Sequence, residues 1–368
     1  MITGRQLIAS TIISEGHNPV LQNQLPTSDR ETITRHPVSS TKNKSRGSLM
    51  GRKMVLLTFA FAMVFCISLQ VDAQRRQRIV VATGGTGGVY YPYGGTLAEI
   101  INQKVENVSA TAEVTGASVE NVRLIGKKDV TFALAMNDTV YQAYTGEGKF
   151  EGTKIESLRT VFQMYPHVYH IVALKKDPIN SISDLKGKKV SVGAPGSGTE
   201  YKTNLILPLL GVPYSDMRLY RLSFAENSTQ IKDGIIDVGI WDVAPPTSSI
   251  IDLSTTHDLR FIPFTEEEVE KVVKAYPFYG RISLKENTYR GQTEDILSVS
   301  VWNSVVCHAD TSEELVYQVT KAVFENIQTL INTHKIAEYT TTEDSANNSP
   351  IPIHPGALRY YKEVGAIK

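Results

Sequence analysis

The sequence predicts an α/β fold made of two lobes that face each other across a cleft. Two stretches share one design, in which a short apolar strand leads through a glycine-rich turn into the start of a helix. The first runs from Ile79 into GGTGGVYY (residues 84–91), and the second runs from Lys189 into GAPGSGTE (residues 193–200). Glycine lets the backbone approach a ligand closely, and the free N–H groups of a helix start favour negative charge. The repeat therefore predicts two lobes around one small anionic molecule.

The start of the chain differs from the rest. Gly51-Arg52-Lys53 precedes an apolar run of 15 residues, Val55–Leu69, and a small residue, Ala73, stands immediately before Gln74. This order is typical of a secretory signal peptide, and the run is shorter than the about 20 residues that span a membrane. We predict a signal peptide over residues 50–73 and a disordered or mis-annotated extension over residues 1–49.

The mature chain would comprise the remaining 295 of the 368 residues, Gln74–Lys368. It would carry 30 of the 38 basic and 34 of the 38 acidic residues, a net charge of −4, which argues against a nucleic-acid surface. Cys307 is its only cysteine, so an intramolecular disulfide is excluded. With no long apolar run after the leader, we expect a soluble periplasmic protein that is a monomer and does not bind nucleic acid.

The first lobe is predicted as strands alternating with helices. After the first glycine turn, apolar residues between Tyr93 and Ile101 recur on one helical face. A strand is expected at 110–115, followed by a helix for which Ser118 is a suitable N-cap. A buried strand at 131–135 leads to another helix start after Asp138. The order β-α-β-α-β predicts a parallel sheet with crossover helices.

The second half repeats this pattern. A strand at 189–193 leads to a helix at 201–210, and a strand at 218–222 leads to a helix that ends at Lys232. A third strand is expected at 237–241. The same alternation predicts a second parallel sheet.

Two segments are suited to carry the chain between the lobes. Residues 168–174 precede the second unit, and residues 299–306 follow it and lead into a long C-terminal helix predicted from Ser312 to Thr333. Two such crossings make a hinge that permits closure around a ligand. We therefore assign residues 78–175 and 297–368 to lobe I and residues 176–296 to lobe II.

Candidate ligand-binding residues follow from the rule that open parallel sheets bind ligands beyond the carboxyl ends of their strands. Backbone N–H groups and hydroxyls would hold a carboxylate, and the Tyr90 ring would either form an aromatic wall or belong to the core. Ser118 could instead serve only as a cap, and Asn137 and Asp138 could either bind an ammonium or hydroxyl group or cap the next helix. The candidates are Gly87, Gly88, Tyr90, Ser118, Asn137 and Asp138 in lobe I, and Gly196, Ser197, Gly198, Thr199 and Trp241 in lobe II.

Other ligand classes fit the sequence poorly. Tyr90 stands where a dinucleotide fingerprint needs its last glycine, and Thr199-Glu200 follow Gly198 where a P-loop needs lysine. His167 and His170 would point to opposite faces of a strand, which makes them a poor metal pair. We expect no cofactor, no metal and no catalytic residue.

Several motifs resemble the TAXI family, the extracytoplasmic solute receptors of tripartite ATP-independent periplasmic (TRAP) transporters. They are GGTGGVYYPYGGTLAE, VTGASVENVRLI, SVGAPGSGTE, LSFAE, YPFY and HPGALRYY, and they occur in the family's order across residues 78–368. The resemblance implies a type II periplasmic-binding-protein fold, a ligand such as glutamate or a related carboxylate, and a membrane permease as partner. The chain departs from the family at Asn137, where glutamine is common, and at His167, where an acidic residue is common.

The resemblance favours a receptor that closes around a small carboxylate and hands it to a TRAP membrane subunit. Two alternatives stay open at this point. A sensory receptor of the same fold would present its ligand to a signalling protein, and a bilobal enzyme would need a positioned nucleophile, base or metal, for which the sequence offers no diagnostic spacing.

Overall fold

The computed structural model describes residues 76–367. The predicted extension over residues 1–49 and the predicted signal peptide over residues 50–73 lie outside these residues. Within residues 76–367, no helix is both long enough and apolar enough to cross a membrane.

One mixed sheet of ten strands runs through the described chain, with strand order β2-β1-β3-β10-β4-β7-β5-β6 and with β8 and β9 paired to β4 and β10. The strands are β1 (Gln77–Ala82), β2 (Val108–Glu113), β3 (Phe132–Met136), β4 (Leu158–Leu174), β5 (Lys189–Ser191), β6 (Arg218–Tyr220), β7 (Val238–Val243), β8 (Leu259–Phe261), β9 (Tyr279–Leu284) and β10 (Ile296–His308).

The first seven α-helices connect these strands, and the last four follow β10. They are α1 (Tyr90–Lys104), α2 (Ser118–Lys127), α3 (Asn137–Thr145), α4 (Gly198–Leu209), α5 (Phe224–Lys232), α6 (Ser248–Thr256), α7 (Glu266–Ala275), α8 (Glu313–Glu325), α9 (Ile327–Thr333), α10 (Thr342–Asn347) and α11 (Pro355–Glu363).

Both predicted βαβ units are present. β1 pairs in parallel with β2 and β3 in the first lobe, and β5 pairs in parallel with β6 and β7 in the second. The buried strand β3 carries only apolar residues, as expected for a strand covered on both faces. The α/β prediction is therefore confirmed, with each glycine turn leading from a strand to a helix.

The hinge consists of the two longest strands. β4 and β10 pair with each other in antiparallel orientation. β10 also pairs with β3 and β9, and β4 also pairs with β7. The register shifts between Trp302 and Ser304, where Met164 and Tyr165 together oppose Asn303. Such a bulge re-aims the side chains beside it. It lies next to His167, at the point where the chain passes between the lobes.

Three apolar clusters hold the sheet between its helices. One runs along a single face of the sheet through both lobes and includes Phe132, Val172 and Trp241. The other face is divided between a cluster in lobe I around Val122 and one in lobe II around Ile240. Neighbouring residues of a strand face opposite sides of the sheet, which explains why the same strands contribute apolar residues to clusters on both faces.

Two local predictions are wrong. Ala117, not Ser118, is the N-cap of α2, with φ of 77°, and the Ser118 hydroxyl oxygen instead accepts a hydrogen bond from the Met136 N–H at 3.1 Å. The long C-terminal helix is broken at Asn326 into α8 and α9. The Asn326 side chain donates to the Ala322 carbonyl at 2.8 Å, and this local bond competes with continuation of the helix.

Candidate functional site

A cavity of about 70 Å³ lies where the two glycine turns meet. One water needs about 10–15 Å³ of such space, so the cavity admits a small solute. Six of the eleven predicted residues line it: Gly88, Tyr90, Ser118, Ser197, Gly198 and Thr199. The strand-end rule predicts these residues near strand ends in both lobes, and the structure brings them together around one space. Whether they bind a ligand stays a prediction.

The lobe I turn approaches lobe II through Gly87, which does not itself line the cavity. Its carbonyl accepts hydrogen bonds from the hydroxyls of Thr247 at 2.9 Å and Ser249 at 2.8 Å. A Cβ at Gly87 would lie 2.8 Å from the backbone nitrogen of Ala225, so the two backbones meet with no room for a side chain. Gly87 therefore serves contact between the lobes in this structure.

The second turn makes the reciprocal contact. The carbonyl of Gly196 accepts hydrogen bonds from the N–H groups of Val119 and Glu120, both at 3.1 Å. These are first-turn amides of α2, which have no partner within their own helix. Gly196 thus joins lobe II to lobe I beside the cavity rather than lining it.

The start of α4 supplies hydrogen-bond donors to the cavity. Ser197 caps this helix by accepting a hydrogen bond from the Glu200 N–H at 3.0 Å. Gly198 and Thr199 are the first two helical residues, and their N–H groups have no partner within the helix. A helix start with free amides and the Thr199 hydroxyl beside them suits an anionic group.

Ser118 faces this helix start from lobe I. Its oxygen already accepts the Met136 N–H, so its hydroxyl hydrogen remains able to donate to a solute. A Cβ at Gly198 would come within 2.9 Å of the Ser118 hydroxyl oxygen. The two predicted residues therefore lie against each other across the cleft.

Trp241 and Asn137 do not line the cavity. The Trp241 indole donates to the Ser249 hydroxyl at 3.1 Å, which in turn holds the Gly87 carbonyl. The Asn137 amide is occupied by Gln163 at 2.9 Å and by the Ser304 hydroxyl. Both side chains are already committed to protein partners, and they support the site from behind.

Asp138 also lies behind the cavity, where it accepts a hydrogen bond from the Tyr279 hydroxyl at 2.8 Å. Its carboxylate is fully buried, and burial raises its pKa, while the Tyr279 bond and the Lys202 charge oppose the rise. Asp138 comes from lobe I and Tyr279 from the strand that extends lobe II. This bond is therefore a further link between the lobes.

A buried ion pair stands next to this link. Lys202 Nζ lies 3.1 Å from Asp242 Oδ2, and both side chains are inaccessible to solvent. The ammonium also lies over the Tyr279 ring, 4.6 Å from its centre. Asp242 lines the cavity, and burial raises its pKa to about 6, although Lys202 opposes the rise.

We predict that Asp242 makes the protein less stable as pH rises from about 4 to about 6. The folded carboxyl binds its proton up to about pH 6, whereas the unfolded one releases it near pH 4. The free energy of unfolding contributed by this group should fall by up to about 3 kcal/mol over that range. Denaturant titrations of the wild type and Asp242→Asn at several pH values measure it as the difference between the two profiles.

Comparison with the variant is needed because buried histidines act in the opposite direction. Burial lowers the pKa of His170 to about 4, so this residue makes the protein more stable as pH rises toward 6.5. A wild-type profile that parallels that of Asp242→Asn from pH 4 to pH 6 would contradict the assignment to Asp242.

Thirteen of the nineteen residues that line the cavity were not among the predicted ligand contacts, and His167, Phe224 and Asp242 are three of these. Phe224 packs over Gly88, where an added Cβ would lie 3.1 Å from its ring. The strand that carries the predicted Trp241 continues into Asp242, and alternation sends the two side chains to opposite faces of the sheet. The signal for His167 in the sequence was its difference from the TAXI family, in which an acidic residue is common at that position.

His167 and His170 have separate environments, as their spacing on β4 predicts. His167 lines the cavity, whereas His170 lies among Phe261 and Tyr289 with its Nδ1 2.7 Å from the Val168 carbonyl. Residues 76–367 contain no group of three or more histidine, cysteine, aspartate or glutamate side chains arranged to hold a metal ion.

Comparison with known proteins gives one family and a set of fold relatives. The model of the family described as NMT1-like matches residues 81–365. PhnD1 from Prochlorococcus marinus (MIT 9301), solved in complex with methylphosphonate, is similar at a TM-score of 0.50 and 9% identity, covering 80% of this chain and 100% of that one. The periplasmic binding protein BugD is similar at a TM-score of 0.50 and 12% identity, covering 78% and 93%. These similarities confirm the predicted periplasmic-binding-protein fold.

Proposed function

The chain belongs to the NMT1-like family, and from this premise we propose that it is an exported periplasmic receptor. It captures a small carboxylate in the cleft between its lobes and delivers it to the membrane subunit of a TRAP transporter. Capture consists of binding and hinge closure, with no bond-breaking step.

The observation that carries the proposal is the shared cavity. Donors from both lobes surround it, including the Ser118 hydroxyl from lobe I and the first amides of α4 from lobe II. Hydrogen bonds to the carbonyls of Gly87 and Gly196 join the two lobes beside the same cavity. A solute held there would contact both lobes at once and so favour the closed form over an open one.

The donor side of the cavity favours an anionic group on the solute, because amides at a helix start stabilise negative charge. Asp242 also lines the cavity, but its carboxylate is inaccessible to solvent and paired with Lys202, so it offers no free acceptor to the solute. A glutamate-like amino acid and a dicarboxylate both supply the anionic group that the helix start favours. Both classes belong in a ligand screen.

The TRAP membrane subunit as partner rests on the resemblance of the glycine-turn motifs to the TAXI family. Liposomes that contain the permease encoded nearest to this gene test it. We expect uptake of labelled solute only when the purified receptor is added outside. Uptake with no need for the receptor would remove transport from the proposal and leave binding.

We predict that a ligand of this class raises the melting temperature of the mature chain. At a concentration 100 times its Kd, a ligand that binds only the folded state adds about 2.7 kcal/mol to the free energy of unfolding. Thermal shift assays with acidic amino acids and C4–C6 dicarboxylates, followed by calorimetry, provide the measurement. Simple cationic amino acids serve as controls, and a shift with these but with none of the acids would contradict the proposal.

A further inference from the structure

His167 occupies a position that no hydrogen bond within the protein explains. It follows Pro166 on β4, beside the bulge of the hinge, and its side chain lines the cavity while only 3% of the residue is exposed. Its ring lies between two tyrosines, with ring centres 5.2 Å from Tyr90 and 5.8 Å from Tyr165.

Neither ring nitrogen of His167 has a hydrogen-bonding partner of acceptable geometry in the structure. An unsatisfied buried polar atom is costly, and native structures usually satisfy it with protein, water or ligand. Tyr90 directs its own hydroxyl to Asn303, so it is not available to the imidazole. The Asp242 backbone lies near the ring, and the cavity that His167 lines is a further place from which a partner can reach it.

We propose that His167 contacts the captured solute directly, and that it takes up a proton from the medium when an anionic solute binds. The inference rests on the proposed function, because it needs an anionic solute in this cavity. A neutral imidazole offers one donor and one acceptor, whereas the protonated ring offers two donors. A carboxylate at the ring therefore favours the protonated form.

The surroundings of His167 keep it neutral in the unliganded protein. Burial lowers its pKa well below the usual 6.5, the charge of Lys202 and the nearby His170 lower it further, and the backbone of Asp242 opposes them. The ionisable groups that face it are Tyr90 of α1, Tyr165 and His170 of β4, Lys202 of α4 and Asp242 of β7. A carboxylate of the solute would place a negative charge beside the imidazole.

The sign of the pH dependence follows from this change. Binding raises the affinity of His167 for its proton, so binding should tighten as pH falls through the interval between the bound and free pKa values. Within that interval one coupled proton changes Kd by about tenfold per pH unit. Below the free pKa, both states are protonated and the dependence ends.

The test uses the mature chain and isothermal titration calorimetry between pH 6 and pH 8, with L-glutamate as the probe and succinate where L-glutamate does not bind. Titrations in buffers of different ionisation enthalpy give the number of protons taken up. We expect net uptake of up to one proton and a Kd that rises with pH. In His167→Gln we expect uptake near zero and a Kd that is flat across the range.

His170→Gln is the matched control, because His170 is equally buried on the same strand but lies away from the cavity among Phe261 and Tyr289. It should retain the uptake of the wild type. Far-ultraviolet circular dichroism and the melting temperature establish that each variant is folded. If His167→Gln does not fold, His167→Asn replaces it, and the histidine C–H resonances of the wild type report the protonation directly.

Three results would overturn the inference. The first is binding with no proton uptake in the wild type. The second is uptake that persists in His167→Gln and disappears in Asp242→Asn, which would assign the proton to Asp242. Failure of both probes to bind at millimolar concentration would remove the proposed function as well, and so differs from the first two results.

Discussion

Replacing Lys202 by methionine is expected to lower the free energy of unfolding by about 3–5 kcal/mol at pH 7. The ammonium is the charge paired with Asp242 at 3.1 Å, and both groups are inaccessible to solvent. Methionine fills a similar volume but leaves the carboxylate buried without a counter-charge. Denaturant unfolding monitored by circular dichroism measures the loss.

The free energy of unfolding lost in Lys202→Met should depend on pH and on the presence of Asp242. Lys202 opposes the rise in the pKa of Asp242, so its removal raises that pKa further and the carboxyl becomes neutral more readily. We therefore expect the deficit to shrink below about pH 6, where Asp242 is protonated even in the wild type. Adding Asp242→Asn to Lys202→Met should recover much of the stability, because no buried charge is then left unpaired.

The matched control is Lys128→Met. Lys128 forms an ion pair with Asp310 at 2.7 Å, but both side chains are largely exposed. Exposed pairs contribute about 0–1 kcal/mol, so this variant should change stability little. A Lys202→Met deficit below about 1 kcal/mol, or one that stays constant from pH 5 to pH 8, would show that the buried pair does not stabilise the fold in this way.

The strands and helices were predictable because local patterns determine them. The apolar run at β3 and the glycine turns before α1 and α4 depend only on neighbours in the chain. The break at Asn326 was not predictable, because the apolar pattern continues through it and the interruption comes from one side-chain bond to Ala322. Similarly, Ser118 fits an N-cap by residue type, but the Met136 amide takes its hydroxyl oxygen instead.

The candidate site was predictable in location and less so in detail. The strand-end rule finds the edge of the sheet, but it does not state which side of that edge a side chain faces. Asp138 and Trp241 therefore appeared equivalent to the cavity residues until the structure showed their protein partners. The pairing of Lys202 with Asp242 joins a helix to a strand about 40 residues later, and no local pattern indicates such a contact.

The contact between the lobes at Gly87 should also have a large effect on binding. Replacing Gly87 by alanine should weaken binding of the captured solute by about fivefold to a hundredfold. A Cβ there would lie 2.8 Å from the Ala225 nitrogen and 3.2 Å from the Ala225 Cα, closer than atoms of two backbones tolerate. Overpacking of this kind costs about 1–3 kcal/mol, and each 1.4 kcal/mol is a tenfold change in Kd.

The effect should fall on closure more than on folding. Gly87 does not have a left-handed φ, so alanine fits its own backbone conformation, and the clash exists only where lobe II approaches. An open form would relieve the clash, and the variant should therefore bind weakly while its unliganded melting temperature changes little. Calorimetry with the solute found in the screen gives Kd, and small-angle X-ray scattering with and without that solute reports compaction.

Gly95→Ala is the control for this prediction. Gly95 lies in α1, and an added Cβ there would meet no atom within 4 Å. Alanine in a helix interior favours folding by up to about 1 kcal/mol, so this variant should bind normally and melt slightly higher. If Gly87→Ala binds as tightly as Gly95→Ala and compacts to the same extent with solute, then the contact of Gly87 with Ala225 is not part of the ligand-bound state. Capture would in that case proceed by a different closure.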